Sequence, residues 1–368
     1  MSDGAADPPE EGAKPPDGAT PHKRRPRYRG THPRRFAERY KEQDPASYPE
    51  MEAHIRAQGR TPAGSHVPIL VSEVLECLAP APGEVVADLT LGYGGHARAL
   101  LARIGPTGRL VALDHDEATL AATRARLEAE ACGTPMSFHA IHHAALAEVL
   151  ASERLDGCDV VLADLGLSSM QIDDPARGFS YRVDGPLDMR MDRRRKRSAA
   201  AWLATISEAD LATALKENAD EPEAPALAHA IVTARALAPI ETTAQLAGVV
   251  LAAKGWDLAR WKAHVRAHPR DTHPAARTFQ ALRLLVNDEL SGLERMLRAL
   301  PWTLRPAGRV AILSFHSGEE RRVERAFREG LEAGHYAAVA TESVRASAAE
   351  VGANPRAASA RLRWAVRA

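Results

Sequence analysis

The segment Asp88-Leu-Thr-Leu-Gly-Tyr-Gly-Gly-His96 constrains this chain more than any other. An apolar run, residues 85–91, leads into it, and a helical pattern, 96–104, leads out. A buried strand, a glycine turn and a helix start make the nucleoside-binding corner of a doubly wound α/β fold. Glycine lets the backbone approach a ligand because no Cβ intervenes. The next apolar run, 109–114, ends on Asp114, about 20 residues past the glycines, where a carboxylate can accept both ribose hydroxyls.

Strands and helices alternate around this corner. A helix is expected over 117–131, a third strand over 136–141 and a fourth over 159–165, whose unbroken apolar run suits a strand buried on both faces. Such alternation predicts a parallel sheet with right-handed crossovers. It then stops. Residues 172–273 carry helical patterns at 208–216, 226–236 and 243–253 and no buried strand, which predicts a helical insertion domain. The α/β pattern resumes with one helix over 277–300, a strand over 309–315, a helix over 319–329 and a last, antiparallel strand over 361–368. The expected domains are 61–171 with 274–368, interrupted by 172–273.

The chemistry of the corner favours a cationic cofactor. A dinucleotide fingerprint needs a third glycine that is missing after Gly95, and Asp88 would repel a pyrophosphate. Asp88, Asp114 and Asp164 all close strands, so three carboxylates face one crevice beyond the sheet. S-adenosylmethionine, with its sulfonium and ammonium, answers that charge. Methyl transfer then asks for alignment and exclusion of water. An exocyclic amine is a weak nucleophile because its lone pair is delocalised into the ring. Asp164, a nearby carbonyl, Ser168 or Ser169 can bind its hydrogens and restore some lone-pair character.

Lys+Arg and Asp+Glu both number 48, so net charge points to no nucleic-acid partner, but its distribution does. Residues 23–41 hold nine Lys/Arg against one acid, Glu38, with Tyr28, Phe36 and Tyr40 available for stacking. Residues 1–60 are expected to be a disordered basic and proline-rich extension. The three cysteines form no CxxC pair, no signal peptide opens the sequence, and no apolar run is long enough to span a membrane. A cytoplasmic protein is expected. His139, His142 and His143 match no standard ligand spacing, so no metal is expected.

Taken together the segments resemble the bacterial 16S rRNA (cytosine-N4)-methyltransferase family, the MraW/RsmH type. The strings that carry the likeness run in order from residue 66 to the end. They include Ala112-Leu-Asp-His-Asp116, Asp164-Leu-Gly-Leu-Ser-Ser-Met-Gln171, Gly178-Phe-Ser-Tyr181, Gly185-Pro-Leu-Asp-Met-Arg-Met-Asp192, His273-Pro-Ala-Ala-Arg-Thr-Phe-Gln-Ala-Leu-Arg283 and Ser314-Phe-His-Ser317. The resemblance implies a Rossmann-like S-adenosylmethionine methyltransferase domain with a helical insertion. It implies methylation of N4 of a cytidine in the decoding region of 16S rRNA in the small ribosomal subunit. Cofactor contacts then fall on Gly94, Gly95, His96, Asp114, Asp164 and Gln171, and catalysis on Asp164, Ser168 and Ser169.

Two departures stand out. The segment 140–146 lacks the aromatic that the family places near the cofactor base, and Pro222 and Pro225 disfavour a helix across 220–225. Other candidates are the basic run Arg193-Arg-Arg-Lys-Arg197, a polar stripe of Arg277, Gln280, Arg283 and Asn287, and His316 beside the crevice. Competing readings are a non-catalytic RNA-binding assembly factor, and a methyltransferase of DNA or protein.

Overall fold

The computed structural model describes residues 68–130, 133–269 and 271–368, so the basic extension and its expected disorder lie outside the described residues. Seven strands form one sheet in the order β3-β2-β1-β4-β5-β7-β6. Strands β1 (Val85–Asp88), β2 (Arg109–Asp114), β3 (Met136–Ala140), β4 (Cys158–Asp164) and β5 (Leu304–Ser314) pair in parallel. β7 (Arg361–Arg367) runs antiparallel to β5 and to β6 (Tyr336–Val339). The expected Rossmann-like sheet and its antiparallel last strand are therefore present. β6 was not anticipated: four residues ending in Ala-Ala-Val offer too short an alternation to stand out.

Helices cover both faces. On one side lie α1 (Val71–Leu78), α2 (Gly95–Ile104) and α3 (Glu117–Glu130), burying Val74, Leu78, Leu100, Ile104, Leu120 and Leu127 against β1, β2 and β4. On the other lie α4 (Leu146–Ser152) and two later helices, meeting Val161, Ala163, Val310 and Ile312. Every residue of β1 is buried, as are all of β4 but Asp159 and Asp164, which explains their lack of alternation.

After β4 come a short helix, α5 (Ser169–Asp173), and then α6 (Ala199–Thr205), α7 (Glu208–Ala219), α8 (Ala224–Leu237), α9 (Thr243–Ala253) and α10 (Leu258–Ala267). Ser198, Ser207, Thr242 and Asp257 cap α6, α7, α9 and α10 by accepting a first-turn N–H. These helices build their own apolar cluster around Leu203, Leu211, Leu227, Ile231 and Leu246. Among the described residues they add no strand, only an isolated bridge between Pro186 and Thr242. The proline expectation fails in part. Pro225 sits in the first turn of α8, where its missing N–H has no partner to lose.

The single helix expected over 277–300 is two: α11 (Ala276–Asn287) and α12 (Glu289–Thr303). Asp288 between them is left-handed, with φ 57°. Its short carboxylate makes that conformation tolerable by bonding locally, to the Ser291 hydroxyl and to Arg295 Nη2 at 2.8 Å. α11 buries Phe279, Ala281, Leu282 and Val286 in the helical cluster, whereas α12 buries Leu293, Met296 and Leu297 against the sheet. α13 (Ser317–Glu332) and the short α14 (Ala348–Ala353) complete the helices. No described helix is long and apolar enough to cross a membrane.

Candidate active site

The strand order reverses between β1 and β4, and in open α/β sheets the crevice opens beyond the carboxyl ends at that point. Asp88 stands opposite Ala112 and Leu162, so Asp114 and Asp164 each project two residues beyond it. The two central strand ends are tied together: the Asp164 N–H donates to Thr90 Oγ1 at 2.6 Å.

The three carboxylates differ in their company. Asp88 is 2% exposed and accepts the Thr90 N–H at 3.1 Å. Burial, with Asp114 adding repulsion, pushes its pKa up to about 7. Asp114 accepts the Gly92 N–H on Oδ2 at 2.7 Å and the Asp116 N–H on Oδ1 at 2.8 Å. Burial still raises it to about 6. Asp164 is raised to about 7 by burial and by the charges of Asp88 and Glu319. Its carboxylate is partly open, at 31%, yet Oδ1 is covered and has no hydrogen-bond partner. His96, on the first turn of α2, brings Nε2 to 3.7 Å from Asp164 Oδ2, beyond hydrogen-bond reach. Burial lowers its pKa to about 4, so it offers a neutral ring and no counter-charge.

The glycines do separate work. Gly94 has φ +74°, and a Cβ there would lie 2.8 Å from Thr123 Cγ2, so its bareness lets α3 pack on the turn. Gly95 opens α2, whose N-cap, Gly94, has no side chain to cap the first N–H groups. Ser168 caps α5: its hydroxyl accepts the Gln171 N–H at 3.2 Å, while Gln171 Oε1 accepts the Ser168 N–H at 3.0 Å. Ser169 is the first residue of α5 and is half-buried. Gln171 Nε2 donates to Asp116 Oδ2 at 3.0 Å, which joins this loop to the Asp114 corner. His96 thus lies beside Asp164, and Gln171 is tied to the Asp114 corner through Asp116.

Sequence reasoning missed Asp116 as a hub and missed Arg177 altogether. Arg177 Nη1 donates to Asp116 Oδ2 at 2.6 Å. Burial opposes ionisation of Asp116, but the Arg177 charge and bond, with Gln171, hold its carboxyl below the usual range. No local pattern could show this pair, because its partners are 61 residues apart.

The other candidates resolve into structural roles. In the polar stripe, Arg283 donates to buried Glu289 at 3.0 Å, Gln280 to the Asn218 carbonyl at 3.4 Å, and Arg277 to the Asp220 carbonyl. Asn287 is fully buried. Within the basic run, Arg194 binds Asp192 and the Ala140 carbonyl, Arg195 binds the Val286 carbonyl, and Arg197 lies over Trp202 at 3.8 Å, while Arg193 and Lys196 are exposed. His316 caps α13, and its Nε2 lies 3.1 Å from buried Glu319. His139 pairs instead with Glu153.

His142 and His143 gather with His115, one ring nitrogen from each lying within 4.8 Å of the others. Burial keeps all three neutral. They pack as tilted rings: the His142 centroid is 4.2 Å from that of His115 and 4.1 Å from that of His143. His142 Nδ1 accepts the Ala144 N–H at 3.1 Å, and its Nε2 edge fills the space a side chain at Gly292 would need.

Carboxylates kept from ionising by burial suit a cationic ligand, which restores their charge. Two consequences can be measured. Replacing Asp114 by Asn should weaken S-adenosylmethionine binding by about 10–100-fold, since one charged hydrogen bond contributes about 1.5–3 kcal/mol; calorimetric affinity within two-fold of the parent would remove Asp114 from the cofactor site. Affinity should also rise with pH between about 5.5 and 7.5, as groups with values near 6 and 7 ionise. The sign for stability is opposite. A carboxyl raised by folding favours the folded chain below its unfolded value, near 3.8, and loses that contribution as pH climbs through 6–7. The cofactor-induced rise in Tm should therefore be larger at pH 8 than at pH 5.5, and equal rises would count against this electrostatic account.

A family model described as the MraW methylase family matches residues 63–368. The chain is similar to "Ribosomal RNA small subunit methyltransferase H 1" of Lachnoclostridium phytofermentans, at 42% identity over 94% of this chain and 93% of that one. It is 43% identical to "Ribosomal RNA small subunit methyltransferase H 2" of Alkaliphilus metalliredigens, over 94% of this chain and 97% of the relative. A third relative, from Agathobacter rectalis, is 40% identical over 94% and 98%.

Proposed function

Since the chain belongs to the MraW methylase family and is an S-adenosylmethionine-dependent rRNA methyltransferase, we propose that its acceptor is N4 of a cytidine in the decoding region of small-subunit 16S rRNA. The observation that carries this reading is the partly open Asp164 carboxylate at the end of β4, which His96 Nε2 approaches only to 3.7 Å. The bound cofactor supplies an electrophilic methyl group. The protein supplies the rest. The open edge of the Asp164 carboxylate accepts a hydrogen bond from the cytosine amino group, which returns lone-pair density to N4. As N4 gains the methyl, the surplus proton passes to that carboxylate, whose value near 7 lets it take and return a proton at neutral pH. Gly94, Gly95, His96, Asp114 and Gln171 line or brace the cofactor side. Ser168 and Ser169 border the amine side, Ser168 holding α5 in register through its cap. Phe315, 3.8 Å from where a Gly166 side chain would begin, helps to keep water out.

The helical segment 172–273 serves, on this reading, as an insertion domain between 61–171 and 274–368 and offers a face to RNA. The target base has to leave its stack to reach so recessed a carboxylate. On this reading the protein acts in the cytoplasm, on small ribosomal subunits. Incubation with labelled cofactor and unmodified small subunits, followed by nucleoside analysis, tests the assignment. Label in N4-methylcytidine is the expected result. Label in another nucleoside, in protein or only in DNA would overturn it.

A further inference from the structure

Arg177 ends a short turn, Pro175–Arg177, and is 9% exposed. One arm of its guanidinium binds Asp116, whose own N–H donates to Asp114 Oδ1. The other arm donates to the carbonyls of Arg190 and Met191, each at 3.1 Å. Those carbonyls belong to the strap 186–192, which Asn287 of α11 grips from the far side. The Met191 N–H donates to Asn287 Oδ1 at 2.8 Å, and Asn287 Nδ2 donates to the Met189 carbonyl at 2.7 Å. Met189 is left-handed, with φ 59°, and its N–H donates to the Arg177 carbonyl at 2.9 Å. An unbranched, buried residue in that conformation persists only where its surroundings over-determine it. Arg177 and Asn287 are those surroundings. A continuous line of hydrogen bonds therefore runs from the Asp114 corner, through the strap, to the helix that buries its apolar face in the helical cluster.

We propose that Arg177 is a positioning residue that makes cofactor binding at the Asp114 corner and RNA binding by the helical segment interdependent. The inference rests on the functional reading above. Asp114 moves with its occupant, Asp116 follows through its backbone bond, and Arg177 transmits the shift to a strap that favours one seating on α11. Linkage is reciprocal, so each ligand tightens the other by the same factor.

The test uses the full chain, S-adenosylhomocysteine as an unreactive cofactor analogue, and unmodified small ribosomal subunits. In the parent protein, saturating subunits should lower the analogue's Kd by about 5–20-fold, and the analogue should lower the subunits' Kd equally. Arg177→Lys keeps a charge opposite Asp116 but lacks the planar fork that spans a carboxylate and two carbonyls. It should reduce the coupling factor to below about two-fold while the analogue still binds alone. Asn287→Ala should do the same from the other end, and thermal unfolding of both variants reports whether they fold. Coupling retained in a folded variant, or a factor of one in the parent, overturns the proposal. Methyl transfer by the parent to the same subunits is measured alongside. Transfer without coupling defeats only this inference, whereas no transfer defeats the functional reading beneath it.

Discussion

Replacing Asp164 by Asn should lower methyl transfer by about 10²–10³-fold, the loss typical of removing one preorganised group aimed at developing charge. Cofactor binding should fall far less, and the fold should not suffer. The physical reason for the last point is specific. Asp164 is held near pKa 7 by burial, Asp88 and Glu319, so its ionised form opposes folding at pH 8. An amide of the same shape removes that repulsion. The variant is expected to melt at the same temperature as the parent or higher at pH 8, with its kcat collapsed. Activity within ten-fold of the parent would discard the carboxylate as the amine's partner. Parallel loss of activity and Tm would show that its role is structural.

Alanine at Gly185 or Gly178 should be nearly as damaging, by a different route. A Cβ on Gly185 would lie 2.0 Å from the Pro175 carbonyl oxygen, and one on Gly178 would lie 2.2 Å from that of Pro186. Both obstacles are backbone, which cannot swing aside as a side-chain tip can. Gly178 also has φ +70°, a region that L side chains rarely adopt. Each substitution should cost roughly 4 kcal/mol or more, the range reserved for clashes in over-determined structure. Denaturant unfolding measures it directly. A midpoint close to the parent's would mean that the two loops can part without consequence.

Much of this was legible in the sequence because the relevant residues are close along the chain or strictly periodic. The strands buried on both faces read as unbroken apolar runs, the Gly92–Gly95 turn is contiguous, and the acids that close β1, β2 and β4 end those runs visibly. The helical patterns at 208–216, 226–236 and 243–253 fall within α7, α8 and α9. What escaped was decided by tertiary contact. Asp288 breaks a helical pattern whose apolar period continues through it, because α11 and α12 serve different cores. The stripe of Arg277, Gln280, Arg283 and Asn287 has helical spacing, yet Asn287 is fully buried against the strap. Pro225 looked like a helix breaker and is a helix starter, a distinction that depends on where the first turn falls. His115 could not be grouped with His142 and His143, since the sheet register brings the ends of β2 and β3 together.

The placement of the helical segment between β4 and β5 bears on how the chain assembles. Arg309 of β5 bonds the Asp159 carbonyl of β4 at 3.4 Å across 150 residues, and Arg305 reaches the Asp159 carboxylate across 146. Pairing these strands closes a long loop, and non-local closure of this kind slows folding. The intervening helices have a core of their own, so their early collapse would shorten the effective loop before the two strands meet. The helical segment would then also act as a folding aid. Failure of that collapse would delay sheet closure and leave the edge of β4 open to mispairing during refolding.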